Sequence, residues 1–193
     1  MDPGRRLLLT VPLALARPAR AQATDEATAA ALRALRAGGA VVAFRHALAP
    51  GTFDPSGFKL GDCSTQRNLS EEGRAQARRI GQWFAQQGLR PARVRSSPWC
   101  RCIDTALLAF GQAEPWPALG SPRGSPEQTN DQHLGELKRA LRQAAASPRA
   151  LQVWVTHMFV LSALTQQDST SGEGLVLSAG AADTVTVLGR IAL

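Results

Sequence analysis

Apolar positions along the chain follow two spacings, and the switches between them mark its elements. Over 24–37, Ala27, Ala31 and Leu35 recur every four residues with Leu32 beside them, which predicts a helix ended by Gly38 and Gly39. Val41, Val42, Ala43 and Phe44 then form an unbroken apolar run that stops at Arg45 and His46, which predicts a buried strand over 40–45. The pattern lapses over 47–69, where Pro50, Gly51, Pro55, Gly57 and Gly61 interrupt any repeat. A connection of 23 residues is long for a compact domain, so a lid or substrate-binding loop is expected there.

Ser70 is a good N-cap, and Glu71 and Glu72 follow where the helix dipole favours them. Ala77, Ile80 and Phe84 share one face, so 70–87 is predicted as an amphipathic helix closed by Gly88. A short strand over 91–95 turns at Ser96 and Ser97 into a helix over 98–110, with Pro98 at its first position. The stretch 111–128 holds Pro115, Pro117, Pro122 and Pro126 and is expected to be irregular, with at most one edge strand near Ala118 and Leu119. A third amphipathic helix is predicted over 129–146, a strand over 151–156, and a helix over 157–164. Residues 175–177 and 184–191 complete the chain as two strands, with a hairpin around Ala179 and Gly180.

Strands alternating with helices predict an α/β fold, a three-layer αβα sandwich with a mostly parallel central sheet and helices on both faces. In such sheets ligands sit beyond the carboxyl ends of the strands. Arg45 and His46 follow the first strand, residues 96–101 follow the second, and His157 follows the later strand over 151–156, so all are expected at one sheet edge.

The total length of 193 residues bounds the chain to about one domain. Arg5 and Arg6 precede an apolar stretch over 7–16, and Ala21-Gln22-Ala23 follow; this is the build of a secretory signal peptide over 1–23 cleaved after Ala23. The domain is then expected over 24–193, in the periplasm or outside the cell. The twin arginines leave both the general secretory and the twin-arginine routes open. The apolar stretch is too short to remain as a membrane span. The first 23 residues hold four Arg and one Asp, so part of the net charge of +7 leaves with them. The remaining arginines are scattered, aromatic residues make up 5% and Tyr is absent, so no nucleic-acid partner is expected. In an oxidising compartment Cys63 can pair with Cys100 or Cys102, leaving one thiol. The cysteine spacing matches no common zinc pattern.

Two of the three histidines and two arginines thus converge. A neutral imidazole is a nucleophile or acid/base near neutral pH, and guanidinium groups bind phosphoryl oxygens. With no carboxylate or thiol at ligand spacing beside the histidines, the set suits phosphoryl transfer without a metal or other cofactor. One His attacks phosphorus, and the other His and both Arg stabilise the equatorial oxygens.

The same residues carry a resemblance. Val41-Val42-Ala43-Phe44-Arg45-His46-Ala47, Asn68-Leu69-Ser70-Glu71-Glu72-Gly73-Arg74-Ala75-Gln76-Ala77, Ser96-Ser97-Pro98-Trp99-Cys100-Arg101-Cys102-Ile103-Asp104-Thr105-Ala106 and Val155-Thr156-His157 occur in this order. Together they resemble the histidine phosphatase superfamily, with its phosphoglycerate-mutase-like fold, in an exported bacterial-type member. The resemblance implies His46 as the nucleophile that becomes phosphohistidine. It implies Arg45, Arg101 and His157 as the rest of the phosphate pocket, and Asn68 as a further substrate contact. The expected partner is a small phosphorylated substrate, a phosphomonoester or phosphohistidine. A phosphomutase and a non-catalytic phosphate-binding member are the alternatives. The pattern departs from the family at Met158 and Phe159, and no Asp follows His157 directly. The general acid therefore stays open between Glu127, Glu173 and none, and its absence would favour good leaving groups such as phosphohistidine.

Overall fold

The computed structural model describes residues 19–121, 129–147 and 150–193. Most of the expected signal peptide and Glu127 lie outside them. Five helices and six strands follow in the order α1 (Ala19–Ala37), β1 (Val41–Arg45), α2 (Glu71–Gln86), β2 (Arg93–Ser96), α3 (Cys100–Phe110), β3 (Glu114–Pro115), α4 (Asp131–Ala146), β4 (Gln152–Thr156), α5 (Met158–Thr165), β5 (Gly174–Ala179) and β6 (Val185–Ile191). The first helix begins upstream of its expected start, so the expected cleavage point after Ala23 falls within it.

The strands form one sheet in the order β3-β2-β4-β1-β5-β6. β1 pairs parallel with β4, β4 with β2, and β2 with β3, whereas β5 runs antiparallel to β1 and β6 runs antiparallel to β5. The closing pair is the expected hairpin. The parallel half places the ends of β1, β2 and β4 at one edge.

Side chains of β1 alternate between two cores. Val42 and Phe44 join Leu35, Ile80, Phe84, Val94 and Ala106 on the face covered by α1, α2 and α3. Val41 and Ala43 join Leu137, Leu141, Trp154, Leu161 and Leu164 on the face covered by α4 and α5. Each face is therefore sealed, and an unbroken apolar run is what a strand buried on both faces requires. This is the three-layer sandwich that the pattern predicts.

Two local expectations need correction. Pro98 precedes the N-cap Trp99 instead of opening α3. Trp99 offers no capping side chain; Gln66 reaches across from the long loop, and its Oε1 accepts the Cys100 N–H at 3.0 Å. Ala118 and Leu119 lie in a 3-10 turn, fully buried against α4, and the edge strand forms at Glu114–Pro115. Proline at 115 and 117 confines pairing to the sheet margin, while apolar burial draws Ala118 and Leu119 under the sheet.

Candidate active site

Ladder hydrogen bonds carry the strand geometry one residue past β1 and β2. The His46 N–H donates to the Thr156 carbonyl at 2.9 Å, and the Ser97 N–H donates to the Val155 carbonyl at 2.8 Å. His46 and Ser97 therefore inherit the register of the central sheet. His157 follows β4 directly and caps α5. The carbonyls of Arg45 and His46 both accept from the Gly172 N–H, at 3.2 and 3.1 Å. Gly172 sits at φ +73°, and a Cβ there would lie 2.4 Å from the Gln76 amide carbon, so this crossing needs glycine.

A cavity of about 420 Å³ opens at this edge, and Arg45, His46, Arg101 and His157 all line it. The two histidine rings stand edge to face with centroids 5.5 Å apart. His46 is buried, and its Nδ1 lies 2.8 Å from the Ala47 carbonyl oxygen. A carbonyl only accepts, so this nitrogen carries the proton, and in the neutral ring the lone pair is on Nε2. Burial, then the Arg101 charge, lowers the His46 pKa to about 3, against which the Ala47 bond acts weakly. His46 is thus a neutral imidazole at physiological pH.

His157 is also held neutral, its pKa lowered well below the usual imidazole range by burial and by His46. Its Nε2 meets the Ser97 hydroxyl at 2.8 Å, and Phe159 stacks on the ring at 5.1 Å. Trp99 closes a further side, edge-on at 5.3 Å.

The guanidinium groups are crowded. Arg101 is fully buried at the start of α3, where the helix dipole disfavours a cation. Asp54 answers it from the long loop, accepting from Nη1 at 2.9 and 3.1 Å. The same carboxylate accepts from the Arg67 backbone N–H at 2.9 Å and the Trp99 indole at 3.3 Å. Burial first, then repulsion from Arg101, lowers the pKa of both Arg45 and Arg67. The Nε atoms of Arg45, Arg67 and Arg101 are buried without a partner. Three cations that disfavour one another, each with an unused donor, form a site prepared for an anion.

Arg67 was not among the expected site residues, yet it lines the cavity. It directly precedes the Asn68-Leu69-Ser70 motif, but one arginine among twenty in an unpatterned loop carries no periodic signal. Asn68 is not among the residues that line the cavity. Its amide nitrogen donates to the carbonyls of Cys63 and Gln66, at 2.7 and 3.1 Å, bracing the loop below the cavity. Its neighbour Arg67 lines the cavity instead. Glu173 does not line the cavity either. Arg190 occupies one carboxylate oxygen at 2.6 Å, and the Thr170 N–H occupies the other at 2.8 Å.

Cys63 pairs with Cys100, with Cα atoms 5.7 Å apart, and Cys102 is the free thiol. The pair decides between the two partners left open by the sequence. Burial pushes the Cys102 thiol up to about 12, so it is an inert neutral neighbour of His157 at 3.6 Å. Among the described residues no group of three or more His, Cys, Asp or Glu side chains is placed to hold a metal ion, and no helix is long and apolar enough to cross a membrane.

Comparison with known proteins bears on the fold. A search of the curated proteins finds no match. Among solved structures, the chain is similar to the protein histidine phosphatase SixA complexed with tungstate, with a TM-score of 0.54 and 17% identity over 79% of this chain and 96% of that one. It is similar to a candidate phosphohistidine phosphatase SixA from Agrobacterium tumefaciens, with a TM-score of 0.54 and 20% identity over 80% of this chain and 99% of the other. A mycobacterial glucosyl-3-phosphoglycerate phosphatase complexed with VO3 gives a TM-score of 0.54 and 14% identity, covering 77% of this chain and 96% of that chain. At these identities the structures speak for the fold. The model of the histidine phosphatase superfamily (branch 1) matches residues 61–120, which span Arg67, the α2 motif and the α3 motif with Arg101. The chain therefore shares its fold with these phosphatases, and its residues 61–120 are similar to the histidine phosphatase superfamily.

Proposed function

We propose that the protein is a metal-independent phosphatase that hydrolyses a phosphomonoester or phosphohistidine through a covalent phosphohistidine on His46. The observation that carries this reading is the state of His46: buried, neutral, with Nδ1 engaged by the Ala47 carbonyl and Nε2 left as the lone pair. A phosphoryl group held by Arg45, Arg67, Arg101 and His157 meets that lone pair in line with its ester bond. Nε2 attacks phosphorus, the P–O bond to the leaving group breaks, and water then displaces His46 to release phosphate. Charge passing through the equatorial oxygens is stabilised by the guanidinium groups, which the buried floor of the cavity makes more effective than they would be in water. The relatives' oxyanions, tungstate and VO3, support using such anions as probes of this cavity.

The test is hydrolysis of an aryl phosphate, with and without chelator, by wild type and His46→Ala. Activity that resists chelator and falls by about four orders of magnitude or more in the variant is expected. Activity that survives His46→Ala would sink the mechanism.

The enzyme is further proposed to act in the periplasm or outside the cell after removal of residues 1–23. The basic and apolar segments of the N-terminus support this, as does the Cys63–Cys100 disulfide, which needs an oxidising compartment. The mass of the mature N-terminus checks it: a chain beginning at Thr24 is expected, and a retained Met1 on cytosolic protein contradicts export.

A further inference from the structure

Transfer of a phosphoryl group to His46 leaves an oxygen that must take a proton unless its anion is already stable. Of the carboxylates considered from the sequence, Glu173 is tied to Arg190 and Thr170, and Glu127 lies outside the described residues. Asp54 spends both oxygens on Arg101 and further donors. Among the described residues, Asp168 is the one acidic side chain that lines the cavity.

Its backbone is fastened on both sides. Arg190 donates to the Asp168 carbonyl at 3.1 Å, and Arg45 donates to the Ser169 carbonyl at 2.8 Å. The segment after α5 is therefore bolted to β6 and to a pocket arginine. The Asp168 carboxylate itself accepts no hydrogen bond among the described residues, and the residue is exposed. His46, His157 and Arg101 form the closed end of the cavity, with 3%, 2% and 0% exposure. An in-line displacement on His46 sends the leaving oxygen away from that end and toward the mouth. An exposed cavity wall is where that oxygen must emerge, and Asp168 is the carboxyl that stands there.

We propose that Asp168 is the general acid of the reaction, and this rests on the reading of His46 as nucleophile. In the first step a bond forms between His46 Nε2 and phosphorus. The ester P–O bond breaks with its electron pair going to oxygen, and the Asp168 carboxyl proton moves to that oxygen, releasing the alcohol. In the second step water attacks phosphorus, the P–N bond breaks with its pair returning to Nε2, and the Asp168 carboxylate takes the water proton. Atoms and charge balance over the two steps with no further reactant. The consequence for substrate range is that poor leaving groups, such as alkyl phosphates, are within reach of this enzyme.

The experiment compares kcat/KM of wild type and Asp168→Asn on nitrophenyl phosphate and on glycerol phosphate, since this ratio reports steps only through phosphorylation of His46. The exposed position makes the variant safe for folding. Expected are a change of less than about threefold on nitrophenyl phosphate and a loss of about 10²–10³-fold on glycerol phosphate. An equal loss on both substrates, no loss on either, or a wild type unable to hydrolyse glycerol phosphate overturns the assignment of Asp168. Activity retained in His46→Ala overturns the nucleophile instead, so the two failures are separable.

Discussion

The cavity has two unlike walls. On one, Arg45, His46 and His157 issue from strands β1 and β4 and are positioned by the sheet ladder itself. On the other, the loop 47–69 contributes Gly51, Thr52 and Arg67, and it is held by a few side-chain tethers. Those tethers are the Asp54–Arg101 ion pair, the Gln66 bond to the start of α3, and the Cys63–Cys100 disulfide. Closing the 37-residue separation removes unfolded-state entropy worth about 4 kcal/mol in the chain-entropy model. The difference teaches that His46 is placed by backbone register, which is cooperative, whereas the facing wall is placed by individual bonds, which single substitutions can cut.

The sharpest way to break the comparison is Asp54→Ala. It removes the counter-ion of a guanidinium that is 1% exposed and already repelled by Arg45 and Arg67. Breaking a buried pair from one side costs about 3–5 kcal/mol. Denaturant unfolding is expected to show that loss, and phosphate or vanadate is expected to restore more stability to the variant than to wild type by standing in for the carboxylate. Unchanged unfolding in Asp54→Ala would mean that the loop is not held through this pair.

A smaller effect isolates the sheet wall. Below pH 6.5 the unfolded His46 ring gains a proton, while the folded ring stays neutral down to about 3. The unfolded state therefore binds more protons, and stability falls as pH drops through this window. His46 alone accounts for up to about 1.4 kcal/mol per pH unit. Unfolding free energies between pH 6.5 and 5, in buffer without phosphate, are expected to fall less steeply in His46→Asn than in wild type. An identical slope in both would contradict a buried neutral His46.

Much of this was legible before any tertiary information. The doubly buried run of Val41, Val42, Ala43 and Phe44 could only be an inner strand. Parallel alternation then forced Arg45, His46, Arg101 and His157 to one edge, because periodicity fixes faces and topology fixes ends. The loop was recognisable only as a loop. Nothing in its composition separates Arg67 from its neighbour Asn68, and which of them lines the cavity depends on the bonds that Asp54, Gln66 and Asn68 make on folding. The carboxylates show the same division. The sequence left the acid open between Glu127, Glu173 and none; Arg190 from β6 claims Glu173, and Asp168 lines the cavity five residues earlier. Thus the sequence by itself determined the sandwich and the strand-end chemistry, since both follow from short-range repeats and chain order. The folded structure was needed to show that Arg67 and not Asn68 lines the cavity, that Cys100 pairs with Cys63, and that Asp168 is a carboxyl on the cavity wall, since these are contacts between segments far apart in the chain.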